Sequence, residues 1–129
     1  MTPRCCRLLS SSQVWPLLTV EEHLSLFAEL KGVPESARTG CVQAIAAAVK
    51  LDGDAFRQPA TALSGGMKRR LSLGIALIAD PKIVVADEPT TGLDPETRRG
   101  VWDILEAERA KGRAILLTTH SMVSVRTNL

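Results

Sequence analysis

Between residues 83 and 119 the chain carries a short β-branched run, a sharply bounded helical stretch and a second apolar run, the order of a parallel sheet with a crossover helix. Ile83-Val84-Val85-Ala86 is apolar at every position, as expected of a strand covered on both faces, and it ends on Asp87-Glu88. After the loop Pro89 to Leu93, Asp94 stands at a helix cap and Pro95 at the first helical position. Val101, Ile104 and Leu105 form a stripe, and Gly112 lies beyond the end. Arg113-Ala-Ile-Leu-Leu-Thr-Thr119 then predicts a second buried strand, so that strand, helix and strand form one right-handed crossover unit closing at His120.

Upstream, the pattern is helical. Thr19 is placed to cap a helix with Val20, Leu24, Phe27 and Leu30 or Lys31 at helical spacing, Glu21 and Glu22 in its first turn and Gly32 at its end. A second helix is predicted from about Ser36 or Arg38 to Leu51, with Val42, Ile45 and Val49 on its apolar side, before Asp52-Gly53-Asp54 turns the chain. Leu63-Ser64-Gly65-Gly66 opens a third, with a stripe of Leu71, Ile75 and Ile78, outward-facing Lys68, Arg69 and Arg70, and a stop at Asp80-Pro81. His23, beside Glu21 and Glu22 and without a second ligand at metal spacing, is expected to face solvent. The fold class is therefore α/β: a helical subdomain over about 19–80, then a truncated parallel sheet with its crossover helix over 83–120. Residues 1–14 are left as a loose arm and 123–129 as a divergent tail.

Composition narrows the function. With 45% hydrophobic and 23% charged residues in 129, the chain reads as a single globular unit. A net charge of +2, with basic residues scattered rather than clustered, argues against nucleic acid as the primary ligand. The longest apolar stretches, Leu73 to Ala79 and Ile83 to Ala86, are too short to span a bilayer. Cys5, Cys6 and Cys41 have no metal-ligand spacing and suggest no disulfide framework, which fits a reducing cytosol and a soluble isolated chain. Only two strands are read, so the sheet is expected to keep open edges and uncovered apolar faces.

The chemistry-bearing residues fall in a fixed order. Ser64-Gly65-Gly66 combines a helix cap with glycines that let the backbone approach an anion; the first amides of that helix and its dipole suit a γ-phosphate, with the Ser64 hydroxyl as an added donor. Asp87 and Glu88 end a strand at the edge where open α/β sheets bind ligands. There Asp87 could hold Mg²⁺ through water, and Glu88 could polarise a water for in-line attack at phosphorus. His120, at the end of the second strand, could donate to the same phosphate. Taken singly, each has an ordinary reading: a turn and cap, acids opening a surface loop, a lone histidine. Their conjunction, each on the element its chemistry requires, does not.

Leu63-Ser-Gly-Gly-Met67 resembles the signature of the ATP-binding-cassette (ABC) nucleotide-binding domains, a branch of the P-loop NTPases. Ile83 to Glu88 resembles Walker B with its catalytic glutamate, Gly92-Leu93-Asp94 the D-loop, and His120 the switch histidine. Leu18-Thr-Val-Glu-Glu-His-Leu24, Gly65-Gly-Met-Lys-Arg-Arg70 and Leu117-Thr-Thr-His-Ser-Met122 are most similar to the A subfamily, whose members move lipids; the likeness covers roughly Trp15 to Met122. The resemblance implies ATP and Mg²⁺ as ligands, and ATP hydrolysis coupled to transport at the cytosolic face of a membrane. It also implies two partners, a second nucleotide-binding domain and transmembrane domains. Glu88 and His120 would be catalytic, Asp87 would serve the metal, Asp94 would belong to the D-loop, and Ser64, Gly65 and Gly66 would contact ATP held mainly by the other domain.

No Gly-Lys dipeptide occurs in the chain, so it contains no G-x-x-x-x-G-K-[ST] phosphate cradle, and a gapless reading puts Ser10 where the family has its Q-loop glutamine. Each lost charge-assisted hydrogen bond is worth about 1.5–3 kcal/mol. The expectation is a partial domain, inactive alone. The alternative is an interaction module that contributes only its signature segment to another domain's ATP site.

Overall fold

The computed structural model describes residues 5–8, by their backbone, and 14–118. In chain order the elements are β1 (Cys5–Leu8), α1 (Val20–Leu30), α2 (Glu35–Ala48), α3 (Gly65–Leu77), β2 (Ile83–Asp87), α4 (Pro95–Ala110) and β3 (Ala114–Thr118), with short 3₁₀ turns at Gly53–Arg57 and Ala60–Ala62. The strands form a parallel sheet in the order β1-β2-β3, with Cys5 opposite Ile83 and Ile83 opposite Ala114. The sheet therefore has a strand within residues whose sequence pattern indicates only a loose arm. Cys-Cys-Arg-Leu lacks the alternation or continuous apolarity that marks a strand, and its partner lies far along the chain, so nothing local announces it.

Helix α1 begins as its sequence indicates. The Thr19 hydroxyl accepts from the Glu22 amide at 3.1 Å, and the Glu22 carboxylate accepts from the Thr19 amide at 2.7 Å, a reciprocal capping box. Thr19→Ala is expected to lower stability by about 1 kcal/mol, read as a shift of the urea midpoint with unchanged slope. Helix α2 starts earlier than expected, behind Pro34, and stops at Ala48, where Val49 caps it and Lys50 turns left-handed at φ 57°. Both pack on α3 closely enough that a methyl at Gly74 would lie 3.3 Å from Ile45 Cγ2 and 3.4 Å from Leu24 Cδ2 and Val49 Cγ2. Lys31, at the end of α1, donates to the Ile75 carbonyl at 2.5 Å and so supplies a partner for a carbonyl in the last turn of α3.

Three expectations about burial in the helices are overturned. Helix α3 is not an amphipathic helix with a basic outer face: every residue from 71 to 78 is buried, because α1 and α2 flank it on one side and β1 and α4 meet it on others. Arg69 is buried with it, at 6% exposure. His23 is fully buried rather than facing solvent. It lies on the same face of α1 as Val20 and Phe27, Nδ1 meets the Thr19 carbonyl at 2.7 Å, Nε2 accepts from the Trp15 amide at 2.9 Å, and the ring stacks on Trp15 with centroids 6.0 Å apart. That pairing selects the tautomer with hydrogen on Nδ1.

Strand β2 is fully covered on one face and half-covered on the other, and β3 is open on one face. In β2, Val84 and Ala86 are fully buried while Ile83 and Val85 are half-buried; in β3, Ala114, Leu116 and Thr118 are exposed, Leu116 at 58%. The predicted double-sided burial of β3 does not hold, because among the described residues the helices cover only one side of it. Among the described residues, the open face of β3 leaves the apolar Leu116 exposed.

Candidate functional site

The carboxyl end of β2 sets the geometry. Asp87 lies opposite Thr118 in the parallel register, and its Oδ1 accepts from the Thr118 hydroxyl at 2.6 Å. One residue on, Glu88 still donates its amide to the Thr118 carbonyl at 2.9 Å, but its φ is 46°. A side chain in the left-handed region costs about 1–3 kcal/mol, and Pro89 adds to the conflict, since the residue before a proline favours extended backbone. The conformation ends the strand and starts a turn. The Thr91 amide donates to the Glu88 carbonyl at 3.3 Å, and the Thr91 hydroxyl donates to Glu88 Oε2 at 2.6 Å. The two carboxylates thus leave the strand with separate hydroxyl partners, Thr118 for Asp87 and Thr91 for Glu88.

Arg69 reaches this turn from α3. Its Nε donates to the Pro89 carbonyl at 2.7 Å and its Nη2 to the Glu88 carbonyl. Burial lowers the pKa of the guanidinium, while the Asp87 and Glu88 carboxylates raise it. The sequence pattern missed Arg69. The available signal was its place four residues before Leu73 and seven before Ala76, on a stripe that is buried.

The start of α3 faces outward. Ser64 caps the helix, its hydroxyl oxygen accepting from the Met67 amide at 3.1 Å, and Ser64 and Gly65 are exposed. As the first helical residues, Gly65 and Gly66 have amides with no carbonyl four residues back in the helix to take them. A hydroxyl that accepts can also donate, so the cap does not remove Ser64 as a donor to an anion.

Gly66 is fixed by packing. A methyl there would overlap Thr97 Cγ2 and stand 3.0 Å from Thr97 Oγ1. Thr97 cannot swing away cheaply, because its hydroxyl donates to Asp94 Oδ1 at 2.6 Å while its amide donates to Asp94 Oδ2 at 3.0 Å. Gly66→Ala is therefore expected to destabilise the α3–α4 junction by about 1–3 kcal/mol, and adding Thr97→Ser, which removes the methyl but keeps the hydroxyl, should recover most of the loss in a denaturant titration.

Asp94 serves as the cap of α4, and the Thr97 hydroxyl and then the Thr97 amide hold its carboxyl below the usual range. A lowered folded-state pKa means that this contribution is present above the ordinary aspartate value and is lost as pH falls through the folded value.

The structure thus brings together six of the residues singled out from the sequence, Ser64, Gly65, Gly66, Asp87, Glu88 and Asp94, with two that were not, Arg69 and Thr97. Gly66 packs on Thr97, which Asp94 holds; Arg69, on the same helix as Gly65 and Gly66, holds the Glu88 turn; and Asp87 precedes Glu88. Ser64 caps that helix. His120 and Ser10 lie outside the described residues. Among the described residues no group of three or more histidine, cysteine or acidic side chains could cage a metal. A single strand-end carboxylate suits magnesium arriving with nucleotide, since that ion is bound through one or two carboxylates plus phosphates and waters.

Comparison with known proteins places the chain in a family. A family model described as an AAA domain, putative AbiEii toxin, type IV TA system matches residues 48–126. The chain is 58% identical over 109 residues to ABC transporter A family member 9 of Arabidopsis thaliana, covering 84% of this chain and 11% of that protein. It is 49% identical over 109 residues to ABC transporter A family member 8 of Dictyostelium discoideum, covering 84% and 13%. With ATP-binding cassette sub-family A member 7 of Mus musculus it shares 45% identity over 115 residues, covering 87% and 5%. The chain therefore spans about a tenth of the length of the curated relatives it matches, or less. With its strand-end acid pair, its glycine-opened helix and these relatives, the chain belongs to the nucleotide-binding domains of the ABC transporters, A subfamily, and holds part of such a domain.

Proposed function

We propose that this chain supplies the hydrolytic carboxylate and the signature segment of an ATPase that drives transport across a membrane, with lipid as the transported class. The observation that carries the reading is the convergence at one corner of the fold: Arg69 joins α3 to the Glu88 turn, and Gly66 joins the same helix to the start of α4. In this reading Mg-ATP is the substrate. The Glu88 carboxylate accepts a hydrogen bond from the attacking water and aligns it with phosphorus, and Asp87 holds the magnesium through water. Ser64 and the amides of Gly65 and Gly66 donate to the γ-phosphate of a nucleotide held by a second nucleotide-binding domain, so charge building there meets fixed donors. His120 contributes a further donor. No helix among the described residues is long and apolar enough to cross a membrane, and the transmembrane domains are taken to be separate from residues 14–118.

Because the chain contains no G-x-x-x-x-G-K-[ST] stretch, the phosphate cradle comes from outside these 129 residues. Calorimetry of the chain with Mg-ATP tests this division of labour. No saturable binding is expected at micromolar nucleotide; micromolar affinity with turnover by the chain itself would overturn it. The exposure of Ser64 and Gly65 favours a second reading, in which the chain only lends its signature segment to another domain's site.

A further inference from the structure

We propose that Arg69 is a positioning residue for Glu88: by clamping the carbonyls of Glu88 and Pro89 it holds the Glu88 backbone left-handed and so aims the carboxylate out of the sheet toward Thr91. The inference rests on the reading of Glu88 as the hydrolytic carboxylate.

Successive carbonyls of an extended strand point to opposite sides, so one guanidinium can take two in a row only where the strand has broken. It has broken at Glu88, whose φ is 46°, and the two consecutive carbonyls beyond the break are the ones Arg69 meets. The fork of a guanidinium matches two acceptors at once; an ammonium on a flexible stem does not hold them in one geometry. Of the other bonds at the turn, Thr91 amide to the Glu88 carbonyl at 3.3 Å and Thr91 hydroxyl to Glu88 Oε2 at 2.6 Å come from the turn itself, and the Glu88 amide to the Thr118 carbonyl at 2.9 Å ties it to β3. Arg69 is the contact that reaches the turn from α3. It is buried at 6% exposure, so water does not readily replace it, and it lies in the second turn of the helix that Ser64 caps.

The kinetic test uses a chimera in which residues 15–118 replace the matching stretch of the Arabidopsis relative. Arg69→Met is expected to lower kcat about tenfold or more while KM for ATP stays within about twofold, and Arg69→Lys to fall between, since it keeps the charge and loses the fork. An unchanged kcat, or a loss carried by KM, would overturn the proposal. A second measurement stands if the methionine variant does not fold in the chimera: urea unfolding of the 129-residue chain as a double-mutant cycle. Glycine adopts a left-handed φ without strain, so Glu88→Gly should be more favourable to stability with Arg69 present than in the Arg69→Met background, where the turn relaxes. The difference expected is about fivefold or more in the unfolding constant. Equal effects in both backgrounds would mean that Arg69 only fills space. Failure of the catalytic reading looks different: Glu88→Gln would hydrolyse ATP at the rate of the unmutated chimera, whatever the cycle gives.

Discussion

Glu88→Gln, placed in the chimera with the Arabidopsis relative, is expected to lower ATP hydrolysis by about a hundredfold to ten-thousandfold while leaving ATP affinity within about twofold. The amide is nearly isosteric with the carboxylate and can still accept the Thr91 hydroxyl, now at 2.6 Å, so the turn should survive. What it loses is the negative charge that draws the proton of the attacking water. A carboxylate that acts only after nucleotide has bound contributes to the transition state and not to the ground state, which is why the loss should appear in kcat. Steady-state hydrolysis and nucleotide binding by the same preparation check it. A variant that turns over as fast as its parent would remove Glu88 from this role.

Glu108→Ala is expected to cost about 3–5 kcal/mol of stability, the largest structural effect of any single substitution considered for this chain. Glu108 continues the buried stripe of α4 and is 2% exposed. Its Oε2 lies 2.6 Å from Arg113 Nε, off the N–H axis and so an ion pair rather than a hydrogen bond, and Lys111 donates to Oε1 at 2.8 Å. Arg113, at 12% side-chain exposure, also donates to the Pro81 carbonyl at 2.8 Å and pairs with Asp80 at 2.7 Å. This network ties the end of α4 and the start of β3 to the loop before β2, closing the crossover. Truncating the acid strands a buried guanidinium with only an exposed aspartate as counter-charge. Replacing both members, Glu108→Leu with Arg113→Met, should recover most of the loss, because a buried pair often exchanges for apolar groups at little net cost. Urea denaturation of the single and double variants is the check; a loss below about 1 kcal/mol for Glu108→Ala would mean that Lys111, Asp80 and water already screen the pair.

The contrast between α4 and α3 shows what kind of information was local. Every boundary of α4 is written within a few residues: Asp94 caps it, Pro95 opens it, Val101, Ile104 and Leu105 face the core, and Gly112 follows the end. The same holds for the Thr19–Glu22 box of α1. The place of the acid pair at the end of β2 was legible because the apolar β-branched run stops where Asp87 and Glu88 begin. Arg69, His23 and Glu108 were not legible, although each sits on a buried helical stripe. A charged or polar side chain is assigned outward unless its partner is known, and the partners here are the Glu88 and Pro89 carbonyls, the Trp15 amide and the Arg113 guanidinium. Strand β1 was invisible for the related reason that its ladder to β2 is made entirely with distant residues. The exposure of Leu116 departs from expectation in the other direction: the apolar sequence of β3 is written for cover on both faces.

The central claim is that residues 14–118 hold a working part of an ATP-hydrolysing site whose phosphate cradle lies elsewhere. Its most direct test is the Mg-ATP hydrolysis rate of the chimera that receives residues 15–118. The expected result is turnover within about tenfold of the unaltered relative and sensitive to Glu88→Gln. A chimera that folds and binds ATP, yet hydrolyses it no faster than its Glu88→Gln variant, would contradict the claim.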